Sequence, residues 1–246
     1  MAQITERTRG AEFDDVSHVG LDRSRVRAMI GEIGVLPALR TASIDDVLFA
    51  AEALAEAGVP IIEIAANFSG AAALISEVAA RLPKIVVGAG NLMTSADALA
   101  CVDAGARFVS TAALLPGMKE IGSRTGVAVI AGALTPTEIV AAWNGGADLV
   151  KVFPCDAAGG APYIRSVRTA LPEVPLLAAG GVTQQTAFGL IAAGATAIGV
   201  GQALIPREAI QKRRTRQIQE LAHRFVNHVD NGRIEAAGQE HSPVAK

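Results

Sequence analysis

The stretch Ala147 to Gly160, ADLVKVFPCDAAGG, puts a lysine inside an apolar run, and Val59 to Ala65, VPIIEIA, does the same with a glutamate. Both residue types are rarely buried without a partner, so each needs a reason to be there. Lys151 lies between Val150 and Val152, and Glu63 between Ile62 and Ile64. Side chains alternate along a strand, which puts each charge on the face opposite its branched neighbours. If those neighbours face a layer of helices, both charges enter the interior and can meet. One reading of that meeting is a buried ion pair filling polar space, although desolvation commonly cancels its attraction and makes it a poor source of stability. The other is covalent catalysis. A lysine in a low-dielectric site can have a depressed pKa, and its neutral amine then attacks a carbonyl to form a Schiff base. A carboxylate beside it moves the protons that imine formation and C–C cleavage require.

Other candidates are weaker. Lys84 begins an apolar run, Lys119 sits at a helix start, and Lys212 and Lys246 belong to the C-terminal region. Arg40 ends LPALRT and matches the two oxygens of a substrate carboxylate, or else forms a salt bridge at the rim. Cys155 has no histidine to activate it and reads as a small buried filler. Asp148 and Asp156 lack a further carboxylate cluster and read as helix caps rather than metal ligands; Trp143 reads as helix packing. The histidines, His18, His223, His228 and His241, leave nothing between Thr41 and Pro206, which argues against a histidine metal centre or a Ser-His triad. Neither a metal nor a cofactor is expected.

The elements that must position these groups follow a β-then-α rhythm from Gly34 onward. The strand candidates are VLPALR, PIIEIA, KIVVGAG, RFVST, VAVIAG, LVKVFP, PLLAAGG and TAIGVG, with helices starting near Ser43, Ser69, Thr94, Pro116, Thr135, Ala161, Thr183 and Pro206. The pattern predicts an α/β fold, a (β/α)8 TIM barrel, with the preceding segment LDRSRVRAMIGEI as a helix capping its bottom. A doubly wound open sheet is the alternative, but GAG at Gly88 to Gly90 lacks the third glycine of a dinucleotide fingerprint and follows the third strand rather than the first. Residues 1–20 are expected to be a flexible segment, 21–230 a single barrel domain and 231–246 a disordered tail. Chemistry in such a barrel sits at the C-terminal ends of the strands. There AAGGVT and GVGQAL expose backbone N–H groups around Gly180, Gly181 and Gly201 that suit a phosphate, unless tight packing alone explains these glycines.

Bulk properties set the outer limits. With 246 residues and a formal charge of −2, the chain has no general attraction for nucleic acid or an anionic membrane. No apolar run approaches the roughly 18 to 20 residues of a membrane span. The opening MAQITERTRGAEFDD is too charged for a secretory signal, and two distant cysteines fit a reducing cytoplasm. The basic cluster QKRRTRQ, 211–217, reads as a solvated helix face.

In this order and spacing, VPIIEIA, VVGAGNLMT, LVKVFPCDAAGG, LLAAGGVT and AIGVGQALIP resemble the class I 2-keto-3-deoxy-6-phosphogluconate (KDPG) and 4-hydroxy-2-oxoglutarate (KHG) aldolases. The likeness spans roughly 33–207, and K-x-F-P is its most specific part. It implies that Lys151 is the Schiff-base lysine, Glu63 the general acid/base, and Pro154 part of the substrate surround. It also implies a 2-oxo acid substrate, pyruvate as product, no cofactor and a homotrimer. The specificity shell departs from the family pattern. Asn67 stands where the family commonly has an arginine for the keto-acid end, Asn91 replaces a threonine, and Ala179 and Gln202 replace hydroxyls of the phosphate loops. Arg40 is then the candidate carboxylate contact, and backbone donors at Gly180, Gly181 and Gly201 remain for a phosphate. Alternatively, Asn67, Asn91 and Gln202 hydrogen-bond a polyol or another carboxylate. Two other functions fit the residues: a sugar-phosphate isomerase or epimerase using Glu63 as base, and a non-catalytic barrel binding a small acid.

Overall fold

The computed structural model describes residues 21–240. Eight parallel strands close on themselves in chain order: β1 (Val35–Leu39), β2 (Ile61–Ala65), β3 (Val86–Leu92), β4 (Phe108–Thr111), β5 (Ala128–Ala133), β6 (Leu149–Val152), β7 (Leu176–Ala179) and β8 (Ala197–Val200). β8 returns to β1 with Val35 opposite Ile198 and Pro37 opposite Val200, which closes the barrel. The strands are buried almost throughout because helices cover their outer faces and side chains fill the interior. Phe108 fills part of that interior, and it fits only because its neighbour across the ladder is Gly88, where a Cβ would lie 2.2 Å from the ring.

The helices are α1 (Arg23–Ile33), α2 (Ile44–Glu56), α3 (Ala71–Arg81), α4 (Ser95–Asp103), α5 (Met118–Thr125), α6 (Pro136–Asn144), α7 (Gly160–Ala170), α8 (Gln184–Ala192), α9 (Arg207–Gln211) and α10 (Thr215–Glu240). Hydroxyl residues start several of them as expected. Ser43 and Thr94 accept from the backbone N–H groups of Asp46 and Asp97, and Thr135 forms a capping box with Glu138.

α1 closes the bottom of the barrel. Its Arg23 donates to both carboxylate oxygens of Asp148, at 2.8 and 2.7 Å, and to the carbonyl of Gly146. Asp148 also accepts from Val129 N–H at 2.7 Å, so this carboxylate is neither a helix cap nor a metal ligand but a buried anchor tying α1 to the starts of β5 and β6.

Two features differ from the sequence reading. The polar segment after Asn231 is not disordered through residue 240: α10 continues to Glu240, and Arg233 ties it to the carbonyls of Glu32, at 2.9 Å, and Gly31. Those contacts between distant parts of the chain stabilise a helix that composition alone does not announce. The expected flexible segment 1–20 and the last residues, 241–246, lie outside the described residues. The basic cluster does not ride on one helix either. It crosses the break between α9 and α10, where Arg213 adopts a left-handed φ of 49° and pairs with Asp46 at 3.1 Å, while Lys212 pairs with Glu208 at 2.8 Å.

Candidate active site

Three buried polar side chains meet inside the barrel. Glu63 of β2, Ser110 of β4 and Lys151 of β6 come from alternate strands, as the inward layers of this fold are built. Lys151 Nζ lies 3.2 and 3.3 Å from the two carboxylate oxygens of Glu63 and 3.0 Å from Ser110 Oγ. The Lys151 and Glu63 side chains are only 7% and 4% exposed, and Ser110 is fully buried. Both charges therefore enter the interior, while Ile62, Ile64, Val150 and Val152 pack in the hydrophobic core. Gly90 permits the approach: a Cβ there would stand 2.2 Å from Glu63 Oε1.

Among the described residues, the other buried polar side chains are Thr111 and Asp148. Thr111 accepts from Gly132 N–H at 2.9 Å and Asp148 holds Arg23, so both have structural partners. A pair kept for stability alone would be a poor investment in a dry interior, since apolar residues of similar volume commonly do as well. The difference at Lys151 and Glu63 is access.

A cavity of about 550 Å³ opens over them and reaches Lys151, Glu63, Phe153 and Gly199. Of the residues expected to contact substrate, Arg40, Asn91, Gly180, Gly181, Gly201 and Gln202 line this cavity. Asn67 and Pro154 do not: both are exposed, and it is Phe153, the residue before Pro154, that reaches in. Asn91 gets there through backbone irregularity. β3 runs past Gly90 to Leu92 with a register shift against β4, and Asn91 takes φ 54°, a left-handed conformation that asparagine tolerates better than most residues.

The cavity lining carries positive charge. Arg40, at the end of β1, and Arg207, on α9, both line it, and neither has an ion-pair partner among the described residues. The lining carboxylate Asp46 is engaged by Arg213. Arg207, Gln211 and Ser110 were not singled out in the sequence. Ser110 was within reach of the same alternation that identified Glu63, counting inward from Phe108. Arg207 gave no local signal, because the position of α9 over the cavity is set by packing between distant segments.

Cys155 is buried, and its thiol is pushed up to about 11 by burial and then by Asp156, which suits a filler rather than a nucleophile. Trp143 packs against the core. Among the described residues, no three His, Cys, Asp or Glu side chains gather to hold a metal.

A parallel eightfold barrel with an amine and a carboxylate in contact beneath an open cavity is the architecture of a class I aldolase, a carbon–carbon lyase. The KDPG and KHG aldolase family model matches residues 26–221, and the chain belongs to that family. It is 26% identical over 193 residues to a 2-dehydro-3-deoxy-phosphogluconate aldolase of Pseudoalteromonas atlantica, covering 78% of this chain and 89% of the relative. A KHG/KDPG aldolase of Escherichia coli is 23% identical over 192 residues, covering 78% and 90%. In structure, the chain is similar to the KDPG aldolase of Legionella pneumophila with pyruvate captured as a covalent carbinolamine, at a TM-score of 0.74 and 25% identity over 80% of this chain and 96% of that one. Family membership favours the aldolase over the isomerase and the non-catalytic barrel. Among the described residues, no helix is long and apolar enough to cross a membrane.

Proposed function

We propose that the protein cleaves a 4-hydroxy-2-oxo acid to pyruvate and an aldehyde through a Schiff base on Lys151. The observation that carries this reading is the 3.2 Å contact between a buried amine and a buried carboxylate that share one cavity. The neutral amine adds to C2 of the substrate, and the carbinolamine loses water to give an iminium. Glu63 then takes the proton of the C4 hydroxyl. The C3–C4 bond breaks, its electron pair moves into the iminium, and the aldehyde departs. The enamine left behind takes a proton from Glu63 at C3, and water releases pyruvate and the free lysine. Every proton Glu63 accepts is returned, so the cycle closes with these two groups.

The two arginines of the lining support anionic groups on the substrate. Arg40 suits the C1 carboxylate, as its guanidinium matches two oxygens, and Arg207 with the Gly180–Gly181 and Gly201 backbones suits a terminal phosphate or carboxylate. Gln202 and Asn91, which also line the cavity, suit the chain hydroxyls as hydrogen-bonding groups. Asn67 and Pro154, outside the cavity, are assigned no contact. Pyruvate release from 4-hydroxy-2-oxo acids ending in phosphate, carboxylate or hydroxyl tests the reading. The anionic substrates should be turned over with the higher kcat/KM, and no pyruvate from any of them contradicts the function.

We further infer a cytoplasmic homotrimer. Met93 and Leu114, 71% and 42% exposed, follow β3 and β4 on the same end of the barrel and supply apolar surface for contact between copies. Cys101 and Cys155 are both free, which suits a reducing compartment. Light scattering on the purified protein should return three times the chain mass of 25.2 kDa; a monomer contradicts the trimer.

A further inference from the structure

Ser110 touches the reacting amine, yet the cycle above gives it no task. Its Oγ lies 3.0 Å from Lys151 Nζ, its side chain is fully buried, and it is absent from the cavity lining. It therefore reaches the amine from within the barrel, while substrate enters from the mouth. An ionised carboxylate only accepts hydrogen bonds, whereas a hydroxyl can accept or donate. Nζ carries two N–H groups as an amine and one as an iminium, and Glu63 must turn away from the nitrogen to work at C4 and C3. An iminium N–H left without an acceptor in a dry interior is costly.

We propose that Ser110 is a positioning residue for the aldol cleavage, acting through Lys151. In the neutral-amine form that attacks substrate it accepts one N–H while Glu63 holds the other, which turns the lone pair toward the cavity. After condensation it holds the iminium N–H and frees Glu63 to move protons between C4 and C3. The proposal rests on the Schiff-base reading, and it assigns β4 a part in the reaction beside β2 and β6.

Pyruvate alone suffices for the test, because its iminium loses a methyl proton to form the enamine and regains one from solvent. In D2O the wild-type protein should wash out the methyl resonance. Ser110→Ala and Ser110→Cys are both close to serine in size, and cysteine is a poor hydrogen-bonding substitute. Both should exchange about tenfold more slowly or worse, with the loss in kcat, KM for pyruvate unchanged and Tm held. A wild-type rate in either variant, a change confined to KM, or a rate loss that tracks a fall in Tm overturns the role. If the wild-type protein itself exchanges no methyl protons, the Schiff-base reading fails and Ser110 falls with it. Exchange in the wild type with unaffected variants rejects Ser110 alone.

Discussion

Lys151 and Glu63 divide the work by what each can do with a proton. An amine can form a covalent bond to a ketone carbon and a guanidinium cannot, so Lys151→Arg should abolish pyruvate release while leaving a cation beside Glu63. Glu63→Gln keeps a hydrogen-bond acceptor near Nζ but cannot take the C4 proton. Its kcat should fall by about 10²- to 10⁴-fold in a steady-state assay, and retention of wild-type kcat would remove Glu63 from the mechanism. The cysteines give a prediction in the opposite sense. Burial, helped by Asp97 at Cys101 and Asp156 at Cys155, raises each thiol from 9.0 to about 11. The raised value means that the folded state favours the neutral thiol; its contribution to stability is complete below 9.0 and lost as pH rises toward about 11. At pH 8, a thiol reagent should leave both cysteines untouched in the folded protein and modify both in denaturant. The charged pair was legible in the sequence because a charge between branched apolar residues violates the strand pattern. Ser110 violated nothing, since a small hydroxyl passes for an ordinary residue in RFVST, and only its distance from Nζ distinguishes it.

At the scale of elements, the strands were legible nearly residue for residue, because a parallel barrel buries both faces and leaves continuous apolar runs ended by glycine, proline or hydroxyl residues. The end of β3 was the exception. KIVVGAG reads as ending at Gly90, but the strand runs on to Leu92 through the left-handed Asn91, an irregularity that depends on pairing with β4. α10 was cut short for a similar reason, since Arg233 holds it to α1 across most of the chain length. The β3 geometry makes a sharp demand at Gly90. Gly90→Ala would put a methyl group 2.2 Å from Glu63 Oε1, so the carboxylate must leave its place beside Lys151. The variant should keep the barrel's circular dichroism spectrum and lose kcat at least tenfold, about 1.4 kcal/mol of barrier. Unchanged kcat would show that Glu63 does not need that position.

The whole molecule separates stability from chemistry along the barrel axis. Arg23 and Asp148 lock α1 across the bottom, at the opposite end from the cavity. Arg23→Ala leaves a largely buried carboxylate with one fewer partner. Because Arg23 itself is partly exposed, the loss is set at about 2 kcal/mol, or roughly 4 to 8 °C in Tm by calorimetry, with kcat unchanged. A fall in kcat without a fall in Tm would contradict that division. What the sequence could not supply at this scale was Arg207 in the cavity lining: it lies on α9, after β8, and comes to the cavity when the barrel closes β8 onto β1. Everything else depends on the lysine bonding to substrate. Incubating the protein with pyruvate and borohydride, then mapping peptides by mass, tests this directly. The account predicts a reduced pyruvyl adduct on Lys151 and on no other lysine; an unmodified Lys151 in folded protein, or an adduct elsewhere, contradicts it.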